Sequence, residues 1–155
     1  MTILPQLSAI KFTGKDAGEF LHNQVSADVL ALADGEITFA CYCEPKGRVL
    51  ALVLIGRSSE GYFIILSSEL TESIARRLRI YVMRSDVNVE PLDDCVVAGL
   101  SDSELSDSAV ATLPLPGEER MLVIVNQQLA VTGNHELAQE WKAGDLAREI
   151  GRAHV

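Results

Sequence analysis

The stretch that decides the fold is ITFACYCEPKGRVLALVLIGRSSEGYFIIL, residues 37–66. Two turn sequences divide it into three apolar segments, each of strand length and rich in β-branched or aromatic residues. In the first turn, EPKG at 44–47, Pro45 fixes one φ angle and Gly47 accepts a positive one. The second turn is SEG at 59–61. The pattern predicts a meander of three antiparallel strands.

Further strands and two helices flank this meander. Residues 7–12 alternate polar and apolar side chains, which predicts a half-buried strand. Asp16 is predicted to begin a helix, with Glu19 at the spacing of a capping box. Residues 70–82 have helical periodicity, with arginines on the polar face. The predicted apolar face of this helix consists of Leu70, Ile74, Ala75, Leu78, Tyr81 and Val82.

The C-terminal part has weaker patterns. Short apolar runs at 95–100 and 121–125 predict strands, and Asn126-Gln127 is interpreted as a turn into a partner strand at 129–131. Residues 135–147 are weakly helical. Hairpin-grouped strands interrupted by two helices predict an α+β fold with a mainly antiparallel sheet and two packed helices.

Composition indicates a single globular domain. The chain has 155 residues, 48% of them hydrophobic, which excludes disorder and is sufficient for a hydrophobic core without disulfide bonds. Three cysteines do not make a closed disulfide framework, so we expect a cytoplasmic protein. The longest apolar run, residues 49–56, is too short to span a membrane, and the N-terminus lacks the basic region of a signal peptide.

The charge is unevenly distributed. The net charge is −9, yet residues 1–84 carry nine acidic and nine basic side chains, so residues 85–155 supply the whole excess. Such an acidic chain is a poor general binder of nucleic acid. The neutral part nevertheless contains a basic cluster, which is either a solvated helix face or a contact surface for an anion or RNA. The cluster consists of Arg76, Arg77, Arg79 and Arg84.

Few residues have the spacing of a catalytic or metal site. Cys41 and Cys43 fall on one face of a strand, but a zinc site needs two further ligands, so we predict core or half-buried thiols. His22 is interpreted as a solvated histidine and Cys95 as a small core residue. We therefore predict no catalytic residue and no metal ligand. Trp141 is either a packing anchor or a stacking platform for a flat ligand.

Four segments resemble one known family. FTGKDAGEFLHNQVSADV, residues 12–29, resembles the opening strand and helix of the YgfZ-type folate-binding proteins, relatives of the glycine-cleavage aminomethyltransferases. CEPKGR at 43–48 resembles the hairpin turn of that family, and RIYVMRSDV at 79–87 the end of its next helix. WKAGDL at 141–146 is similar to a tryptophan-containing stretch of the family. The resemblance extends over nearly the whole chain.

The resemblance implies a fold, a ligand and a role. The fold is the N-terminal part of the aminomethyltransferase folate-binding fold, which helps to enclose a pocket for tetrahydrofolate. The role is support of iron–sulfur cluster assembly or repair and, through client iron–sulfur enzymes, of tRNA thio-modification. Trp141 matches a tryptophan that contacts the folate, whereas a second aromatic contact falls where this chain has Leu7. The arginine cluster would offer a weak contact for tRNA or protein.

Two further departures from the family pattern limit what carries over. Aminomethyltransferases have an aspartate shortly after the hairpin glycine, but residues 49–53 contain no carboxylate, which argues against catalysis here. The family signature Lys-Gly-Cys-Tyr-x-Gly-Gln-Glu does not occur in this sequence. Therefore none of its three cysteines inherits the family's functional thiol. We expect residues 1–148 to be the N-terminal part of a longer protein and EIGRAHV, residues 149–155, to be a non-native tail.

Two other functions stay open at this point. One is a folate-dependent one-carbon transferase whose catalytic residues lie outside this chain. The other is an interaction domain without a small-molecule ligand.

Overall fold

The computed structural model describes residues 1–101, 109–115 and 119–130. In these residues two antiparallel sheets and a pair of helices form three layers. The helices are α1 (Ala17–Gln24) and α2 (Thr71–Val82), followed by a single-turn helix, α3 (Gln127–Ala130). The strands are β1 (Thr2–Ile3), β2 (Leu7–Thr13), β3 (Ile37–Cys43), β4 (Val49–Ser58), β5 (Gly61–Ser67), β6 (Asn88–Pro91), β7 (Cys95–Ser101), β8 (Ala109–Pro114) and β9 (Arg120–Asn126).

The strand order confirms the predicted meander and the α+β class. The larger sheet has the order β3-β4-β5-β2-β6, so the three meander strands are neighbours. The smaller sheet has the order β1-β7-β9-β8, and every pairing in both sheets is antiparallel. The sequence predicted one mainly antiparallel sheet where the structure has two.

The central strands are apolar without interruption because both of their faces are covered. In β5, Phe63 and Ile65 pack in the core between the two sheets. Ile64 and Leu66 pack in the core between the larger sheet and the helices. All four are at most 1% exposed. Burying each of these side chains stabilises the fold by about 1.5–3 kcal/mol.

Helix α1 begins where the sequence predicts, but the predicted capping box is wrong. Asp16 is the N-cap residue, and its carboxylate makes no capping hydrogen bond. Instead the N–H of Asp86 donates to Asp16 Oδ2 at 2.8 Å, and the N–H of Asp16 donates to the Asp86 carbonyl at 3.2 Å. A tertiary partner thus replaces the local one and fixes the start of α1 against the turn after α2.

The predicted turn and strand after β9 are also wrong. Residues 127–130 form α3, and the N–H of Gln128 donates to Asn126 Oδ1 at 3.0 Å. An apolar triplet is too short to distinguish strand from helix, so the capping oxygen of Asn126 decides the local structure. Residue 131, the predicted helix at 135–147, Trp141 and the predicted tail at 149–155 lie outside the described residues.

The described helices are short. Within the described part of the chain, no helix has the length and apolar character needed to cross a membrane.

Candidate ligand-binding groove

The structure brings together the two segments that most strongly resemble the YgfZ-type family. After α1 ends, Val25 forms an isolated antiparallel bridge with Tyr42 of β3. The N–H of Ser26 donates to the Cys41 carbonyl at 3.0 Å, and the N–H of Cys41 donates to Ser26 Oγ at 2.8 Å. These bonds place the C-terminal end of α1 beside the β3–β4 hairpin.

A groove, here called the α1–α2 groove, runs between α1, the hairpin and α2. It consists of two adjoining cavities of about 300 Å³ and about 410 Å³. Both cavities are lined by Asn23 and Gln24 of α1 and by Tyr81 of α2. The first is also lined by Tyr42, Cys43, Glu44, Pro45 and Arg77, and the second by Asp16, Glu19, Phe20, Arg84 and Ser85.

The hairpin wall of the groove has a defined turn. The N–H of Gly47 donates to the Glu44 carbonyl at 2.8 Å, and Gly47 has the positive φ of +87° that its position requires. Arg48 Nη2 lies 3.2 Å from Glu44 Oε2. The Glu44 carboxylate at the mouth of the groove therefore already has a cationic partner.

On the opposite wall, Arg77 lies beside the phenol of Tyr42. Tyr42 is 3% exposed, and burial raises the pKa of its hydroxyl. The Arg77 guanidinium opposes this rise through its charge and a hydrogen bond, while Tyr81 adds a small increase in the same pKa. The phenol is therefore neutral, and it leaves the positive charge of Arg77 without compensation.

The four arginines predicted to form one basic face have different surroundings. Arg76 Nη2 lies 2.8 Å from Glu72 Oε1 on the exposed side of α2. Arg79 donates from Nε and Nη2 to the Val89 carbonyl of β6 at 3.2 and 2.9 Å. Only Arg77 and Arg84 line the groove. Among the described residues, neither of these two has a carboxylate within ion-pair distance.

The other candidate residues lie elsewhere. Leu7 is 4% exposed and packs in the core between the sheets. Cys41 and Cys43 are half-buried free thiols, as predicted. The His22 side chain is 37% exposed, and its Nδ1 lies 3.4 Å from Asp28 Oδ1 without hydrogen-bonding geometry. Within the described ranges, no group of three or more His, Cys, Asp or Glu side chains could hold a metal ion.

Cys95, predicted as a core residue, is only partly buried. It lines a larger cavity, of about 760 Å³, between β2, α2 and the β6–β7 connection. Burial, the nearby Asp94 carboxylate and Glu90 raise the pKa of the Cys95 thiol to about 11, and Lys11 lowers it slightly. Thr71, the buried polar residue of this cavity, hydrogen-bonds to Ser8 and to the Ser67 carbonyl. The buried hydroxyl of Thr71 therefore already has hydrogen-bond partners within the protein and is not free for a ligand. We take the α1–α2 groove as the better candidate site.

Three groove residues were not predicted as site residues. Helical periodicity places Tyr81 on the buried face of its helix, yet it is 41% exposed and lines both cavities. Asn23 and Gln24 stand in the family-like stretch 12–29, and that resemblance was the available signal. Local periodicity does not reveal that a second helix faces them.

The fold defines the class of protein to which the chain is similar. Its structure matches that of glycine cleavage system aminomethyltransferase T from Bartonella henselae with a TM-score of 0.68. The match covers 84% of this chain and 42% of that chain, at 15% sequence identity. The chain therefore has the fold of a substantial part of an aminomethyltransferase.

The sequence relatives are more specific. The chain is 28% identical over 113 residues to the tRNA-modifying protein YgfZ of Escherichia coli O139:H28, covering 72% of this chain and 34% of the relative. It is 28% identical over 96 residues to YgfZ of Aliivibrio fischeri, covering 62% and 30% respectively. An uncharacterized protein of Haemophilus influenzae is 28% identical over 145 residues, which is 92% of this chain and 51% of that protein. No family model matches.

These similarities confirm the resemblance to YgfZ-type proteins that the sequence predicted. The chain is similar to YgfZ proteins in sequence and to aminomethyltransferase T in fold. It spans between about a third and about half of the length of the curated relatives that it matches.

Proposed function

We propose that this chain belongs to a folate-binding accessory protein that supports iron–sulfur cluster assembly or repair and, through it, tRNA modification in the cytoplasm. The observation that supports this proposal is the α1–α2 groove. It joins the two family-like segments, in a chain similar to proteins named for tRNA modification.

The groove has side chains suited to a folate. Asn23 and Gln24 each offer an amide donor and acceptor, which match the hydrogen-bonding edge of a pterin or an amide linkage. Tyr81 offers an aromatic ring, and Arg77 and Arg84 offer charge to a carboxylate. A few convergent polar groups in a concave surface are typical of a small-molecule site.

Trp141 is our proposed stacking residue for the pterin or aminobenzoyl ring. An indole gains contact area and a favourable electrostatic arrangement when a flat ring stacks on it. Leu7 occupies the position of the family's second aromatic contact, and its aliphatic side chain is buried in the core. Leu7 does not line the α1–α2 groove, and we therefore propose that the stacking contact falls to Trp141 alone.

An accessory role fits the strand after the hairpin. In β4, the part nearest the turn reads VLALV at 49–53. These side chains neither polarise the amine of a folate nor stabilise a cation next to it. The rival proposal, a one-carbon transferase, requires catalytic groups outside the groove.

Titration of the full-length protein with tetrahydrofolate, followed by calorimetry and by the fluorescence of Trp141, tests the folate assignment. We expect Arg77→Ala to weaken binding about tenfold or more, because it removes a charge-assisted hydrogen bond. Trp141→Phe should weaken binding too, whereas Arg76→Ala, outside the groove, should leave it unchanged. The absence of binding at high ligand concentration would remove the folate assignment.

The cellular role needs a separate measurement. We expect the full-length protein that contains this chain, expressed in E. coli cells deleted for their YgfZ relative, to restore tRNA thio-modification measured by mass spectrometry. Turnover of a one-carbon folate by the full-length protein would instead favour the transferase. Unchanged tRNA modification with normal expression would contradict the accessory role.

A further inference from the structure

Among the described residues the two sheets have four edge strands, and three of these are protected against pairing with another chain. In the smaller sheet, β1 has two residues, and β8 contains Pro114, which has no N–H to donate. In the larger sheet, β6 contains Pro91, and Arg79 already hydrogen-bonds to the Val89 carbonyl. The fourth edge strand is β3, whose first half, residues 37–40, contains neither a proline nor a charged side chain.

The backbone of this half of β3 is open to a further strand. Cys41 directs its N–H and its carbonyl away from β4, and both hydrogen-bond to Ser26. Because the hydrogen-bonding direction alternates along an antiparallel strand, the N–H groups of Ile37 and Phe39 point to the same edge. Within the described ranges neither of these two N–H groups has a hydrogen-bond partner. An extended peptide that adds to a sheet pairs with such donors.

A groove, here called the β3-edge groove, lies along this edge. It is a cavity of about 540 Å³ between the start of β3, the end of β8 and the single 3₁₀ turn at Val29–Ala31. Its lining combines apolar and acidic side chains, among them Asp28, Leu32, Glu36, Ile37, Pro114 and Leu115. Further along β3, Phe39 is 42% exposed and extends the apolar surface.

The two sides of the open edge differ in chemistry. Ile37 packs in the core between the sheets, and Phe39 shares its side because side chains alternate along a strand. Glu36 shares the side of Ala40, which packs in the core toward the helices, and Asp28 lies beside α1. In the described part of the chain, neither carboxylate has a lysine or arginine within ion-pair distance. One side of an added strand would therefore meet apolar groups and the other side carboxylates.

We propose that the open edge of β3 binds an extended segment of a partner protein, in which apolar side chains alternate with lysine or arginine. The apolar side chains pack on Phe39 and Leu115, and the basic ones face Asp28 and Glu36. A second copy of this chain is a poor occupant, because it would bring the same carboxylates to the same edge. The β3-edge groove shares no residue with the α1–α2 groove, so the inference is independent of the folate assignment.

The probe is the capped peptide Lys-Val-Lys-Val-Lys, titrated into the full-length protein and followed by calorimetry. We expect it to bind at least about tenfold more tightly than Glu-Val-Glu-Val-Glu, and added salt should reduce this preference. The same lysine peptide with N-methylated backbone amides keeps every side chain but has no N–H, and it should not bind. Equal binding of the lysine and glutamate peptides, binding of the N-methylated peptide, or no binding of the lysine peptide would each overturn the proposal.

Amide hydrogen exchange locates the bound peptide. Saturation with the lysine peptide should slow exchange at Ile37 and Phe39 at least about tenfold and leave Thr38, which faces β4, unchanged. Slow exchange at Ile37 and Phe39 in the full-length protein without peptide would show that another part of the protein covers this edge, and the proposal would be wrong.

A lysine on the edge should block pairing. We expect Phe39→Lys to weaken binding of the lysine peptide at least about tenfold, because it removes apolar contact and repels the peptide charge. Ile80→Lys is the matched control, the same change at a 70% exposed apolar residue of α2, and should leave binding unchanged. An unchanged circular dichroism spectrum shows that each variant is folded. Equal losses in the two variants, or a dimer that Phe39→Lys dissociates, would contradict the assignment of this edge to a partner segment.

Discussion

At the scale of single residues, the connection between β2 and α1 requires a glycine at position 14. Its φ is +111°, and a Cβ built there would lie 2.1 Å from the carbonyl oxygen of Asp86. The absence of a side chain lets the backbone approach the turn after α2 closely enough for the reciprocal hydrogen bonds of Asp16 and Asp86. That contact also holds Arg84 and Ser85 against α1 at the edge of the groove.

We expect Gly14→Ala to lower the free energy of unfolding by about 3 kcal/mol, since backbone strain and a backbone clash add together. Gly47→Ala is the matched control. Gly47 also has a positive φ, +87°, but a Cβ there would have no atom within 4 Å, so strain alone should cost about 1 kcal/mol. Urea denaturation measures both values, and equal losses would contradict the close contact at Gly14.

Cys95 gives a prediction about pH. Its folded-state pKa of about 11 exceeds the ordinary value of 9.0, so folding favours the neutral thiol. The associated stability is complete below about pH 9 and is lost as the pH rises toward 11. In a Cys41→Ala/Cys43→Ala variant, the iodoacetamide reaction of Cys95 should reach half its maximal rate near pH 11 when folded and at lower pH in urea. Half-maximal reaction near pH 9 in the folded protein would contradict the prediction.

At the scale of elements, α2 makes different contacts on three of its sides. Ile74, Ala75 and Leu78 are buried against the larger sheet. One flank holds Arg77 and Tyr81 toward the groove, and the other holds Arg79 against β6. The helix therefore both stabilises the sheet edge and forms a wall of the candidate site.

Substitution of single arginines should distinguish the side of α2 that packs against β6 from its exposed side. Arg79→Ala removes two hydrogen bonds to the Val89 carbonyl and should lower the free energy of unfolding by about 1.5 kcal/mol. Arg76→Ala removes an exposed ion pair with Glu72 and should cost less than about 0.5 kcal/mol. Thermal or urea unfolding compares the two variants. A cost for Arg76→Ala as large as that for Arg79→Ala would contradict the structural role assigned to Arg79.

The sequence predicted which helices and strands form more accurately than it predicted what their terminal residues contact. Helical spacing identified Ile74, Ala75 and Leu78 because the 3.6-residue period places them on one side of a helix. The same period places Tyr81 on that side, yet Tyr81 is 41% exposed and lines the α1–α2 groove. Likewise the sequence identifies Asp16 as the residue that begins α1, while its hydrogen-bond partner lies 70 residues away.

At the scale of the whole molecule, the two sheets approach closely at Gly56. A Cβ on Gly56 of β4 would lie 2.5 and 2.6 Å from the two Cδ atoms of Leu113 in β8. Leu113 is fully buried in the core between the sheets. The glycine therefore sets the separation of the sheets at this point.

A double-mutant cycle tests this contact. We expect Gly56→Ala to cost about 2 kcal/mol through overpacking and Leu113→Val about 1 kcal/mol through lost volume. Because the valine lacks the Cδ atoms that a Gly56 methyl would meet, the double variant should be more stable than the sum by about 1 kcal/mol. Ile64→Val, on the helix side of the larger sheet, is the control and should add to Gly56→Ala independently. Additive costs in both cycles would contradict direct contact between Gly56 and Leu113.

The sequence by itself determined the α+β class, the three-strand meander, both main helices and the resemblance to YgfZ-type proteins. These depend on local turn chemistry, on periodicity and on short motifs, all of which are properties of neighbouring residues. Only the tertiary structure decided that the strands divide into two packed sheets and that Arg77 and Arg84 line a groove while Arg79 binds a strand. Those outcomes depend on contacts between residues far apart in the chain, such as Asp16 with Asp86 and Val25 with Tyr42. No local pattern encodes such contacts, because the partner of each residue is set by the packing of whole elements.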